Sequence, residues 1–194
     1  MVNIYKITRS GWLEVITGSM YSGKTSELIR RIERVKIANQ KFKVFKPKID
    51  NRYDEDDVVS HNGQYIKAQQ LDLANHILEN VYEELDVVAI DEIQFWDNEI
   101  ISVIDELVRK GKRVIVCGLD QDFRGEPFQL TATLMAKAEY VDKFFGICPI
   151  CGEPATKTQR IIDGEPAHWE DETILVGKEE YYEARCRSCH KVQK

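Results

Sequence analysis

The sequence predicts an α/β fold: a parallel sheet flanked by helices, followed by a small cysteine-bearing unit. Three observations predict it. Short apolar runs alternate with segments of helical periodicity as far as about Gly146, the pattern of parallel strands joined by crossover helices. The run Val87-Val88-Ala89-Ile90 has no polar interruption, as expected of a strand buried on both faces. Beyond Gly146 the helical periodicity stops, turns dominate, and four of the five cysteines occur within the last 48 residues.

In chain order, Leu13, Val15 and Ile16 read as a first strand, and Leu28, Ile29, Ile32 and Val35 follow at helical spacing. Phe42 to Lys46 reads as a second strand that ends at Lys46-Pro47, because proline removes a donor and restricts its predecessor. Asp50 to Gly63 is a polar, charge-rich loop with a short strand at Val58-Val59, and a helix is expected from about Leu71 to Tyr82. After the Val87–Ile90 strand, Asp97 is a candidate cap. The helix it would begin has Ile100, Val103, Ile104 and Leu107 on its inner face and Gly111 at its end. Arg113 to Cys117 is another buried strand, and Pro127 to Ala138 suits a helix with an early proline. The division expected is an α/β unit over residues 1–146 and a cysteine-bearing unit over 147–194.

Between the first strand and the first helix stand Gly18, Ser19, Met20, Tyr21, Ser22, Gly23, Lys24 and Thr25. They match the phosphate-loop pattern G-x-x-x-x-G-K-[ST]. Glycines let backbone N–H groups approach an oxyanion with no Cβ in the way. The lysine reaches the β/γ-phosphates and the threonine hydroxyl ligates Mg²⁺. The helix N-terminus behind the loop adds a dipole that favours phosphate. The alternative, a Gly/Ser-rich turn with an incidental lysine, does not account for the strand before and the helix after. The expected ligand is a nucleoside triphosphate, with ATP and Mg²⁺ as the cofactor pair.

Asp91 ends the apolar strand and is placed to hold Mg²⁺, directly or through water. Glu92 follows, a carboxylate able to act as general base on a nucleophile attacking the γ-phosphate. The motif itself does not choose between water and an alcohol as that nucleophile.

Cys148-Pro-Ile-Cys151 and Cys186-Arg-Ser-Cys189 are two C-x₂-C knuckles separated by 34 residues. Each can place two thiolates on one tetrahedral zinc, and two closed pairs leave no open position, so the expected zinc is structural. The separation exceeds that of an ordinary zinc ribbon, which suggests a working loop between the knuckles. His190 is an alternative to Cys189 as fourth ligand. Cys117 reads as core.

The apolar fraction of 43% is enough for a core, and 31% charged residues indicate a soluble surface. No apolar run approaches the roughly 18 residues that span a bilayer, and Met1 to Ser10 lacks the apolar core of a secretory signal. A cytoplasmic protein is expected, without a membrane. The net charge of −6 argues against a nucleic-acid partner, whose backbone usually meets a basic face.

Taken together, GSMYSGKT, KPKIDNRY, DEIQF, GLDQDF and the two knuckles, the second within YEARCRSC, resemble in order and spacing the P-loop thymidine kinases of bacteria and animal cytosol, from about Gly11 to Cys189. That resemblance implies a P-loop (RecA-like) sheet plus a zinc-ribbon, lasso-like unit. It also implies transfer of the ATP γ-phosphate to the 5′-hydroxyl of thymidine or deoxyuridine. It gives Glu92 the role of base, adds Gln94 and Arg52 to the phosphate side, and matches Phe95, Leu119 and Phe123 to positions enclosing the nucleobase. Thr158, Leu175, Val176, Gly177 and Tyr182 match the lasso that covers the base, with Tyr181 leaving the register of the tyrosine open. A homotetramer and feedback inhibition by dTTP are implied as well. Two other readings fit the motifs: an ATPase of recombinase type that grips single-stranded nucleic acid, and a non-catalytic nucleotide sensor.

Overall fold

The computed structural model describes residues 10–48, 57–59, 65–173 and 181–194. Its centre is a six-stranded, wholly parallel sheet in the order β5-β2-β6-β7-β1-β8. The strands are β1 (Trp12–Gly18), β2 (Phe42–Pro47), β5 (Gln69–Leu71), β6 (Val87–Ile90), β7 (Arg113–Leu119) and β8 (Tyr140–Phe144). A short antiparallel pair, β3 (Asp57–Val59) and β4 (Tyr65–Lys67), inserts before β5.

Alternation along the strands sends apolar side chains to both faces. Val88, Ile90, Val114 and Val116 pack with Ile100, Val103, Ile104 and Leu107 of α3 (Ile100–Arg109) and Leu134 of α4 (Gln129–Lys137). Their neighbours Val87, Ala89, Ile115 and Cys117 face the other way, onto Leu28, Ile29, Ile32 and Val35 of α1 (Lys24–Ile37). This two-sided burial is what the uninterrupted apolar strands require.

Arg31 ties α1 to the sheet. Its side chain, 10% exposed, donates to Glu27 on its own helix (2.9 Å), to Glu14 of β1 (2.7 Å) and to Asp142 of β8 (2.5 Å). Arg113 also donates to Glu14, at 2.6 Å. Hydrogen bonds from Arg30 first, and then Arg31, hold the Glu27 carboxyl at about 2. Burial works against Glu14, yet Arg113, Trp12 and Arg31 keep it below its usual value. Both acids bind protons more readily unfolded, so their stabilisation is full above about pH 4.5 and is lost as pH falls toward 2. Arg31→Met is expected to cost about 3 kcal/mol at pH 7 and to flatten the loss of stability between pH 5 and 3. Urea unfolding of both proteins across that range checks this.

Three segments differ from expectation. The helix expected from Leu71 to Tyr82 is only α2 (His76–Asn80). Leu71 is instead used in β5 opposite Pro47, and Asn80 closes the helix by donating to the His76 carbonyl and accepting from Gln69. Strand β8 (Tyr-Val-Asp-Lys-Phe) carries neither an alternating nor a continuous apolar pattern, and as a sheet edge it is exposed from Tyr140 to Lys143. The region after Gly146 is also more regular than a run of turns. β9 (Gly146–Ile147) pairs with β10 (Pro154–Ala155), and β11 (Lys157–Ile162) lies between β12 (Glu165–Pro166) and β13 (Tyr181–Arg185), all antiparallel. Asp97 caps a turn just before α3, accepting the Glu99 and Ala74 N–H groups at 2.9 Å each. Among the described residues no helix is long and apolar enough to cross a membrane.

Candidate active site

The phosphate loop joins the C-terminal end of β1 to α1. Gly18 has φ +142°, and a Cβ there would lie 2.1 Å from the Phe144 carbonyl oxygen, so only glycine fits. Gly23 takes φ +86° immediately before α1 and supplies no side-chain cap, which leaves the first-turn N–H groups to an incoming anion. Tyr21 also sits in the left-handed region. Ser22 Oγ and Lys24 Nζ both donate to the Ser19 carbonyl, at 2.7 Å each. The lysine thus folds over the loop it belongs to.

Strand β7 lies between β1 and β6, so the second acidic motif faces the phosphate loop across one intervening strand. Asp91 follows β6, its N–H donating to the Phe45 carbonyl and its own carbonyl accepting from Trp96 Nε1. Burial, and next the charge of Glu92, raise its carboxyl to about 7, while Lys24 pulls the other way. A buried carboxyl held this high is suited to a cation. The Cys117 thiol hydrogen-bonds Asp91, and burial pushes that thiol well up, which makes it a poor nucleophile.

Glu92 adopts φ 49°, ψ 48°, a left-handed conformation that costs a non-glycine residue about 1–2 kcal/mol. A 3₁₀ turn, Ile93–Phe95, follows. Within it Gln94 Nε2 donates to the Glu92 carboxylate while Gln94 Oε1 accepts the Leu119 N–H at 3.0 Å. Gln94 therefore locks Glu92 to the end of β7. Phe95 is half-buried on the same turn, and Leu119, at the end of β7, is half-buried as well.

The C-terminal unit closes against this edge of the sheet. Ser19 Oγ donates to the Ala155 carbonyl (3.0 Å), and the Met20 N–H donates to Thr158 Oγ1 (3.1 Å). Thr158, 3% exposed, is thus fastened to the phosphate loop itself. Phe123 is buried, with the guanidinium carbons of Arg124 and Arg160 at 4.7 and 5.1 Å from its ring centre. Tyr182 lies opposite Arg160 in the β11–β13 ladder. Arg52, Leu175, Val176 and Gly177 lie outside the described residues. Asp122, Arg124 and Arg160 were not singled out from the sequence, although Asp122-Phe-Arg-Gly125 carries an Asp-x-x-Gly turn signal.

The sulfurs of Cys148, Cys151, Cys186 and Cys189 all lie within 4.8 Å of one another. The Cys151 sulfur is 3.5 Å from that of Cys186 and 3.6 Å from that of Cys189. Four sulfurs bound tetrahedrally to zinc would be about 3.8 Å apart, so the set fits that metal. Burial opposes ionisation of Cys148, but backbone N–H groups of Cys186, Ile150 and Cys151 bring it down to about 6. Neighbouring sulfurs, first Cys186 and then Cys151, push Cys189 up to about 12. His190 is not part of the set: its Nε2 pairs with the Phe123 carbonyl at 2.8 Å.

Among solved structures, the fold is similar to a DNA replication initiation factor at 15% identity, over 71% of this chain and 41% of that one, with a TM-score of 0.42. It is similar to domain III of the Thermotoga maritima replication initiation protein DnaA at 17% identity, over 72% of this chain and 56% of that one, also at 0.42. The chain thus spans about half the length of these two, or less. The family described as thymidine kinase matches residues 11–190. That match runs from the strand before the phosphate loop through the last cysteine, and on it the chain belongs to the thymidine kinase family.

Proposed function

We propose that the protein transfers the γ-phosphate of ATP to the 5′-hydroxyl of thymidine or deoxyuridine, giving the nucleoside monophosphate and ADP. One observation carries the reading beyond family membership: Glu92 is held in a strained backbone conformation beside Asp91, with its carboxylate oriented by Gln94. In this reading residues 1–146 bind the nucleotide and residues 147–194 cover the nucleoside.

The N–H groups of Gly18 to Thr25 and the α1 N-terminus cradle the triphosphate, and Lys24 leaves the Ser19 carbonyl to pair with its phosphates. Thr25 and Asp91 are the residues that would hold Mg²⁺, which when bound offsets the phosphate charge. Glu92 accepts the proton of the 5′-hydroxyl as its oxygen bonds to the γ-phosphorus and the bond to the ADP oxygen breaks. Arg52 is assigned to the transferring group. Phe95, Leu119, Phe123, Thr158 and Tyr182, with Leu175, Val176 and Gly177, enclose the base and exclude water that would otherwise hydrolyse ATP. Cys148, Cys151, Cys186 and Cys189 would hold a structural zinc that stiffens this unit. A homotetramer, dTTP feedback, a cytoplasmic location and the absence of a nucleic-acid partner belong to the same proposal, on the family resemblance and the acidic balance.

The test is to incubate the purified protein with Mg·ATP and each deoxynucleoside and to measure monophosphate. Product selective for thymidine and deoxyuridine is expected. ATP hydrolysis that rises with single-stranded DNA and yields no nucleotide product would overturn the proposal. Lys24→Met should lower kcat/KM by about 10²-fold with an unchanged thermal midpoint, since among the described residues its ammonium group donates to the Ser19 carbonyl of its own loop. Steady-state kinetics beside a melting curve check this.

A further inference from the structure

The turn between β7 and α4 holds an arginine whose bonds leave the α/β unit. Asp122, 8% exposed, builds the turn: its Oδ1 accepts the N–H groups of Arg124 (2.8 Å) and Glu126 (3.0 Å). Its Oδ2 accepts Arg124 Nη1 at 2.9 Å, which orients the guanidinium. From there Arg124 reaches residues 45 to 49 positions downstream. Nε donates to the Trp169 carbonyl (2.7 Å), Nη1 to Thr173 Oγ1 (2.8 Å) and Nη2 to the Asp171 carbonyl. The same guanidinium lies 4.7 Å from the Phe123 ring centre and 6.0 Å from that of Trp169.

A rigid planar fork satisfied on all three nitrogens fixes the relative position of the groups it joins, which a flexible ammonium cannot do. Here it joins the turn that carries Phe123 to the segment 169–173 of the C-terminal unit. We propose that Arg124 is a positioning residue for nucleoside binding: it holds Phe123 and residues 169–173 in register and touches no reacting atom. This rests on the proposed function, in which Phe123 faces the base. A residue that served only stability would weaken both substrates alike. Arg124 is remote in its contacts from the phosphate loop and should act on the nucleoside alone.

The test compares Arg124→Ala, Arg124→Lys and Thr173→Val with the unaltered zinc-loaded protein. For Arg124→Ala the nucleoside KM should rise by about ten-fold or more, with ATP KM and kcat within about three-fold. Arg124→Lys keeps the charge but not the fork, and should resemble alanine more than arginine. Thr173→Val removes one acceptor and should raise the nucleoside KM about two- to five-fold. Equal changes in both KM values, or a lysine variant indistinguishable from the original, would overturn the proposal. Hydrogen exchange of residues 169–173 is read in parallel without substrate. Faster exchange in Arg124→Ala supports the docking role even if thymidine is not the substrate, and unchanged exchange overturns it. An inactive unaltered protein sinks the reaction instead.

Discussion

Glu92→Gln lowers kcat by about 10²–10⁴-fold and leaves ATP affinity unchanged. The range is what a positioned general base contributes, equivalent to about 2.7–5.4 kcal/mol of barrier. Glutamine has the same shape, and its carbonyl oxygen can still accept from Gln94 Nε2, so the turn that follows should not move. The left-handed backbone is equally strained with either residue, and the thermal midpoint should therefore change little. The phosphate loop makes its own hydrogen bonds to Ser19 and to the C-terminal unit, and ATP binding does not need the carboxylate. Nucleotide titration by calorimetry beside single-turnover kinetics separates the two effects. Normal turnover by the variant would remove Glu92 from the reaction.

Removing zinc is expected to abolish nucleoside phosphorylation, by more than about 10²-fold, while the parallel sheet stays folded. The buried cluster of the C-terminal unit consists of Cys148, Ala155, Ala184 and Cys186, with Cys189 packed against it. Its core is therefore made largely of the cysteines that would hold the metal. So small an apolar cluster does not hold a fold alone, whereas a structural zinc contributes on the order of 10–16 kcal/mol in isolated zinc-finger peptides. Without metal, the bonds from Ser19 to Ala155, Met20 to Thr158 and His190 to Phe123 lose their partner surface. The check is metal analysis, expected to give one zinc per chain, followed by chelation with far-ultraviolet dichroism and activity read together. Full activity in zinc-free protein would refute the structural role. Cys151→Ala should reproduce chelation.

What could be read from the sequence was what lies close together along it. Gly18 to Thr25, Asp91-Glu92 and the two C-x₂-C pairs announce themselves because their chemistry is set by spacings of a few residues. The two-sided burial of β6 and β7 was legible for the same reason. Edge strand β8 was not, because an exposed strand needs no apolar pattern. The short α2 was overestimated because Leu71 continues a helical period but is recruited to the sheet by Pro47, a partner set by tertiary packing. The placement of β7 between β1 and β6 is a property of topology with no local signature. Arg124 is the clearest case: its partners at Trp169, Asp171 and Thr173 become neighbours only once both units have folded.

The two hydrogen bonds from Ser19 and Met20 to the C-terminal unit have a thermodynamic corollary. The backbone that would grip one substrate is bonded to the element that would grip the other, so the two binding equilibria share a common scaffold. Whatever factor ATP imposes on the dissociation constant of the nucleoside, the nucleoside must impose on that of ATP. A change that loosens Thr158 from Met20 should therefore reduce that mutual factor toward one, even where each substrate, measured by itself, still binds.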